Sequence, residues 1–419
     1  MAGPTPVSSL LHAATMVAAG VYLLVRAAHF LAPPVLDVLL WVGSITALIA
    51  AFSALTQTDI KGVLAYSTIS QLGFMVMAVG AGATDYAFFH LVTHAFFKCG
   101  LFLTAGAVIH QIHHAQHQSG LQFDAQDIRL MGGLGRKMPV TMVAYLVFAG
   151  ALAGLPLFSG FFSKDGIMVN VFAMADNRDW TAMIPGILAT LASGMTAFYI
   201  ARHGLLVFFG KSRMRSESFE KIRAANWTMR IPLVLLALAS LYPIKWALEA
   251  LLGQGHHQHF YHEQLNPLVF EILLILVAIS GITWAFFRWR NGRFLISKGS
   301  FLKRLSKNHF YLDQFYDQGI ARGFLRFSSL LSQFDKRIVD GAVNRIAYAV
   351  VDKDNRPSLS KGLAWFDKHI IDGVVNRVAG GIMAFGQGFR KLQGGNLQRY
   401  LMYALLGLLL LLGAMIYFA

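Results

Sequence analysis

The chain has 419 residues, 56% of them hydrophobic and only 14% charged, with a mean hydropathy of +0.53. A soluble domain of this size cannot hide so much apolar surface, so the composition excludes that class and indicates a polytopic membrane protein. The formal net charge of +15 raises nucleic acid as a partner, but the placement of the charges argues against it. The single cysteine, Cys99, excludes an intramolecular disulfide.

The opening MAGPTPVSS has no basic segment of the kind that begins a cleavable signal. Apolar runs of about 20 residues, the length that crosses a bilayer as a helix, predict spans at 8–31, 36–57, 62–83, 86–109, 138–175 (long and broken), 181–209, 231–252, 267–287 and 400–418. The expected fold class is all-α. It comprises a polytopic membrane helix bundle over 1–287 with a discontinuous transmembrane helix, a long lateral amphipathic helix over 288–399, and a C-terminal anchor over 400–419.

Basic residues orient these spans. The loops at 58–61, 111–137 and 202–230 carry eleven Lys and Arg, and segment 288–399 adds twenty on the same side. The opposite side has three, at Arg26, Arg178 and Lys245. The richer side is cytoplasmic by the positive-inside rule. With an odd number of spans, the N-terminus is expected in the cytoplasm and the C-terminus in the periplasm of a bacterial inner membrane.

Ionisable residues inside the spans are the candidate functional groups, because a charge at the bilayer centre costs about 2.5–3.5 kcal/mol on insertion scales. The first span holds His12, which reads equally well as a packed side chain or as part of a polar path. The third holds Ser67, Thr68, Ser70 and Gln71, a patch suited to hydrogen-bonding neighbouring helices or ordering water. Asp59 and Lys61, at its start, read as surface anchors. In the fourth span His90, His94 and Lys98 recur at i, i+4 and i+8, which stacks them on one helical face. Lys98 lies too far from either end to snorkel easily, so a proton path is the stronger reading.

The fifth span reads GALAGLPLFSGFFSKD, with Gly154, Pro156 and Gly160 within seven residues. Proline removes a backbone donor and glycine weakens the helix, so a break is expected there, as in transporters. Lys164 and Asp165 follow it, as a second proton-carrying site or as a plain interfacial anchor. The histidines at 110, 113, 114 and 117, and those at 256, 257, 259 and 262, read as solvated loops. They have no cysteine or HExxH motif, and no metal site is expected. No GxGxxG, Walker or CxxC motif is present, so no cofactor site is visible in this chain.

Within 288–399 two sequences repeat thirty-two residues apart, FDKRIVDGAVNRIA from Phe334 and FDKHIIDGVVNRVA from Phe366. Their apolar residues fall at helical spacing, as expected of a helix lying along a membrane or a row of partners. Pro357 interrupts the interval between them.

The strings MAGPTPVSSLLHAATMVAAGVYL (1–23), DIKGVLAYSTISQLGFM (59–75), FFHLVTHAFFKCGLFL (88–103), QDIRLMGGL (126–134), GLPLFSGFFSKD (154–165) and NHFYLDQFYD (308–317) together resemble the antiporter-like membrane subunits of respiratory complex I, nearest the L-type subunit or chain 5. The resemblance covers essentially the whole chain. It implies that Lys98 is the central lysine of a second half-channel, that Lys164 and Asp165 are the terminal pair on the discontinuous helix, and that His90, His94 and His12 belong to the connecting polar axis. It also implies partner membrane subunits along the lateral helix, with NADH, FMN, iron–sulfur clusters and quinone held elsewhere in the assembly. That family is built from two inverted five-helix repeats. This chain matches the second repeat and the tail, so an N-terminally incomplete subunit is expected. The rival expectations are a multi-subunit cation/proton antiporter and a structural clamp that does not pump.

Overall fold

The computed structural model describes residues 3–121, 123–176, 183–241, 267–292, 301–350 and 365–392. All the regular elements among them are helical, and they divide into two units, Met1–Gln314 and Phe315–Ala419. The predicted final span at 400–418, Pro357, the residues 242–252 of the seventh predicted span and the histidines from 256 to 262 lie outside the described residues.

In the first unit the helices are α1 (Thr5–Ala13), α2 (Met16–Ala27), α3 (Pro33–Ala54), α4 (Ile60–Gly80), α5 (Thr84–Ser119), α6 (Pro139–Ala153), α7 (Ser159–Asp176), α8 (Met183–Phe208), α9 (Ser216–Lys221), α10 (Trp227–Ala239), α11 (Pro267–Arg290) and α12 (Phe301–Lys307). Six segments among the described residues are long and apolar enough to cross a membrane. Their outer faces leave apolar side chains such as Val38, Val42, Ile272 and Leu276 exposed, as a surface solvated by lipid tails requires.

The first predicted span contains a break. The Thr15 hydroxyl and amide both bond back to the Leu10 carbonyl, which closes α1 before α2 begins. α5 runs ten residues past its predicted end at 109 and stops at Gly120, whose left-handed φ of 68° supplies the cap. At 1.5 Å per residue it is about 54 Å long, more than a bilayer core needs. His110, His113, His114 and His117 therefore occupy its last turns instead of the expected loop, because nothing before Gly120 stops the helix.

Close backbone approach positions α4. A Cβ on Gly43 of α3 would run into the Met77 backbone of α4, and one on Gly73 would lie 2.6 Å from the Ala47 amide nitrogen. Helices in lipid gain their association from such packing, since apolar burial alone offers little. Ser70 adds a hydrogen bond across the seam, to the Ala47 carbonyl at 3.0 Å. At the other end, Asp59 caps α4 by accepting from the Gly62 amide at 2.7 Å. The segment 126–133 braces this start, with Ile60 donating to Gln126 and Ile128 to Thr58. There the Asp127 carboxyl meets opposing influences. Partial burial raises it, but hydrogen bonds from Arg129 outweigh that effect and hold it below its usual range.

In the second unit, helical residues run from Phe315 to Val350 and from Trp365 to Leu392. No side chain described in this unit is buried, and Phe324, Leu331, Val343, Ile346, Val375 and Val378 are among the large apolar residues exposed. The two sequence repeats adopt matching conformations. Each opens with a π-helical turn, Asp335–Val339 and Asp367–Ile371, and each continues as α-helix from Asp340 or Asp372.

A methyl group at Gly43 must push α3 from α4, so Gly43→Ala is expected to cost about 1–3 kcal/mol. Gly20→Ala is the control, because nothing lies within 4 Å of its Cβ. Thermal unfolding of the detergent-purified protein, followed by intrinsic fluorescence, should show a lower midpoint for the first variant only.

Candidate functional site

The i, i+4, i+8 face of α5 is the spine of the site. His90, His94 and Lys98 all lie inside the bundle, and Lys98 is 0% exposed. An ammonium there needs a partner, and α4 provides one: Lys98 Nζ donates to Ser67 Oγ at 2.7 Å. Ser67 in turn donates to the Leu64 carbonyl at 2.7 Å.

One turn further along α4, Gln71 Oε1 lies 3.0 Å from His90 Nε2. The other ring nitrogen of His90 lies 2.8 Å from Ser163 Oγ on α7. Ser163 also meets Thr93 Oγ1 at 2.9 Å, and Thr93 donates to the His90 carbonyl at 3.1 Å. Three helices thus converge on one imidazole, so its ring plane is fixed. His94 stands between Lys98 and His90 in sequence, with its ring centroid 6.2 Å from that of His90 and 5.3 Å from that of Phe97. Neither of its ring nitrogens makes a well-formed hydrogen bond to protein.

His12 reaches this line from α1. Ser9 ties α1 to α5 by donating to the Cys99 carbonyl at 3.1 Å, and the His12 ring stacks on Phe102 at 5.3 Å. His12 lies within electrostatic reach of Lys98.

The break between α6 and α7 spans 154–158. Gly154 has φ 76° and Leu157, without glycine's freedom, has φ 78°. Pro156 lies between them. Gly160 serves a different purpose from the expected break. It lies in the first turn of α7, where an added Cβ would collide with the Ala151 carbonyl, so it permits the close approach of α6 and α7.

Lys164 and Asp165 are 4% and 8% exposed, which rules out the interfacial-anchor reading. They do not pair with each other. As neighbours on a helix their side chains point about 100° apart. Lys164 Nζ sits 4.9 Å from the centre of the Phe74 ring and makes no hydrogen bond to protein, and Asp165 Oδ1 makes none either. Both line a small cavity beside the break with Gly154, Phe161 and Ser193, and Glu271 of α11 is an electrostatic neighbour of Asp165.

The polar patch on α4 separates by face. Ser67 and Gln71 join the line of ionisable groups, whereas Thr68 bonds its own helix at Leu64 and Ser70 bonds α3. Lys61, expected at the surface, is 5% exposed and donates to the Gly3 carbonyl at 3.0 Å, because the N-terminal segment covers it.

Sequence reasoning missed Tyr145, Tyr199, Arg202 and His203, all of which are buried. Arg202, which the charge pattern places in the loop 202–230, lies in α8 and donates to the Gln57 carbonyl at 3.1 Å. The available signal was two adjacent ionisable residues before the apolar run had ended.

The comparisons with known proteins agree on one family. Residues 1–196 match the family described as NADH:quinone oxidoreductase/Mrp antiporter, TM. Chain 5 of the NAD(P)H-quinone oxidoreductase of Picosynechococcus sp. is 36% identical over 385 residues, covering 84% of this chain and 57% of that protein. Subunit L of the NADH-quinone oxidoreductase of Escherichia coli (strain K12) is 39% identical over 349 residues, covering 80% of this chain and 52% of that protein. The chain therefore spans little more than half the length of these relatives. The solved structure of the Mrp complex from Dietzia sp. DQ12-45-1b aligns with a TM-score of 0.57 at 29% identity, over 84% of this chain and 39% of that one. Residues 1–196 thus resemble the transmembrane family shared by NADH:quinone oxidoreductase and Mrp antiporters, and the chain is a multi-pass helical membrane protein similar to subunit L and chain 5.

Proposed function

We propose that the chain is a non-redox, proton-translocating membrane subunit of an NADH:quinone oxidoreductase, with a half-channel centred on Lys98. One observation carries this reading: a lysine amine wholly enclosed on a helix long and apolar enough to cross a membrane, bonded to Ser67 and on the same helical face as His94 and His90. An amine held away from water can cycle between charged and neutral forms, and two imidazoles on its own helical face can relay what it releases. Gln71, Ser163 and Thr93 orient His90 for that exchange. Lys164 and Asp165, beside the break, then form the exit-side groups. Freed backbone groups at such a break are tolerated where they meet protein or line a wet cavity. His12 flanks the axis, and Ser67 sets the position of the lysine.

In this reading NADH, FMN, iron–sulfur clusters and quinone belong to partner subunits. The chain lies in a bacterial inner membrane with its N-terminus cytoplasmic and its C-terminus periplasmic, and the amphipathic segment contacts neighbouring membrane subunits. The similarity to the Mrp complex supports a second reading, a subunit of a multi-subunit cation/proton antiporter. Affinity purification separates the two: NADH-oxidising subunits co-purify in the first case only.

Lys98→Ala in the assembled complex is expected to abolish most proton pumping through this subunit while leaving membrane insertion intact. Lys98→Arg is also expected to fail, because a guanidinium stays protonated. Pumping in inverted vesicles, read by quenching of a pH-sensitive dye, measures both. Wild-type pumping by the arginine variant would refute the cycling role, and pumping that survives Lys98→Ala would favour a structural clamp.

The break yields a pair of contrasting outcomes. Pro156→Ala is expected to assemble but pump less, because it alters only the kink. Gly160→Ala is expected to fail at assembly, since its methyl meets the Ala151 backbone. Native gel electrophoresis alongside the vesicle assay distinguishes them.

The repeats in the second unit place Arg345 and Arg377 at matching points. Weak contacts at two sites on one segment reinforce each other. Charge reversal at either arginine alone is therefore expected to be tolerated, whereas the double reversal should release the subunit from its partners on a native gel.

A further inference from the structure

The last turns of α5 carry side chains that the proton-transfer reading does not use. His110, His113, His114 and His117 are all exposed, and none of these side chains makes a hydrogen bond, ion pair or ring contact with another described residue. Placed in a loop, such histidines have no fixed spacing and give no reason to expect a metal. On a helix their spacing is set. At about 100° per residue they fall within an arc of about 100°, on the side away from the buried Gln111, Ile112 and Ala115. They form a ridge of imidazoles turned away from the bundle, past the apolar run that ends at 109.

Within the ridge His110 and His114 are spaced i, i+4, and so are His113 and His117. Residues four apart on a helix have Cβ atoms about 5–6 Å from each other, and two imidazoles at that spacing can grip one zinc ion from a single face. Imidazole nitrogen suits Zn2+, Cu2+ and Ni2+, whereas Mg2+ and Ca2+ favour oxygen. Among the described residues no group of three or more His, Cys, Asp or Glu side chains is placed to hold a metal, so the unit of binding is a pair with water in the remaining positions. The two pairs are not equivalent. Lys221 of α9 donates to the Gln118 carbonyl, which puts an ammonium beside the turn that carries His117. A like charge so close disfavours a second cation there and leaves His110 and His114, further from it, as the better pair.

We infer that His110 and His114 form a surface site for a divalent transition-metal ion of the zinc class, bound through one ring nitrogen of each imidazole. The bound ion ties two successive turns of α5 together outside the apolar run. The inference stands on the register and exposure of these turns and is independent of the proton-transfer reading, since neither residue belongs to the polar line around Lys98.

The test is a calorimetric titration with Zn2+ of the untagged full-length chain in detergent, after treatment with a chelator. His110→Gln combined with His114→Gln should weaken the tightest site by about ten-fold or more, because the second bond of a chelate forms within one molecule. Glutamine is a good helix former and both positions are exposed, so the helical circular dichroism should not change. His113→Gln with His117→Gln should leave the tightest site in place, and so should glutamine at His256, His257, His259 and His262. Excess Mg2+ should not compete. No Zn2+ binding by the native chain, or native affinity after His110→Gln with His114→Gln, overturns the site. A loss found only on replacing His113 and His117, or only on replacing the histidines from 256 to 262, overturns the assignment. Competition by Mg2+ overturns it as well, since it marks attraction of charge alone.

Discussion

An ammonium group enclosed among apolar helices has to be met by polar atoms or give up its proton, and the first unit is arranged around that constraint. Ser67 meets Lys98 only because α4 lies close enough to α5, and α4 is held in turn against α3 by glycines that bring backbone onto backbone. The same registration sets Gln71 against His90 one turn later. The polar line is therefore a product of helix packing, and changes at Gly43 or Gly73 act on it without touching a titratable group.

The break on the neighbouring strand of the path follows the same logic in reverse. A continuous α6–α7 helix would satisfy its own carbonyls and keep Ser163 and Lys164 on a regular helical track. Ending α6 at Gly154 and restarting at Ser159 re-aims α7, so that Ser163 reaches His90 and Lys164 reaches Phe74. Holding Leu157 at positive φ is unfavourable for a residue with a Cβ, and such strain persists only where surrounding packing fixes it. Here the fixing contacts are the Ser159 amide on the Ser240 carbonyl and the close seat of Gly160 on Ala151.

Much of this was legible in the sequence, for identifiable reasons. Period 3.6 places His90, His94 and Lys98 together whatever the tertiary structure, and Pro156 with its flanking glycines ends a helix by local sterics alone. What failed depended on treating hydropathy as a measure of helix length and charge as a measure of exposure. Hydropathy reports lipid solvation, so it ended α5 at 109 although the helix continues to Ser119. Charge counting places Lys61 and Arg202 in solvent, whereas each is buried and donates to a distant carbonyl. The polar patch on α4 read as one cluster because side-chain direction is invisible until α3 and α5 are in place. Ser70 then turns to α3 and Ser67 to Lys98.

The two units solve the burial problem differently, and that difference bears on how the chain works. In the first, ionisable groups are inside and apolar side chains line the outer faces, as lipid requires, and Lys98, Ser70 and His90 meet polar atoms on neighbouring helices. In the second, Ile338, Val343 and Ile346 in one repeat and Ile370, Val374 and Val378 in the other remain exposed along one stripe. A lone amphipathic helix gains little from its own contacts, and most helical stability in proteins comes from packing that face. The π-turn at the start of each repeat widens the helix and shifts the residues after it, so two equal sequences present two equal surfaces. The polar line of the first unit is built from its own helices, while the second unit leaves its apolar stripe exposed.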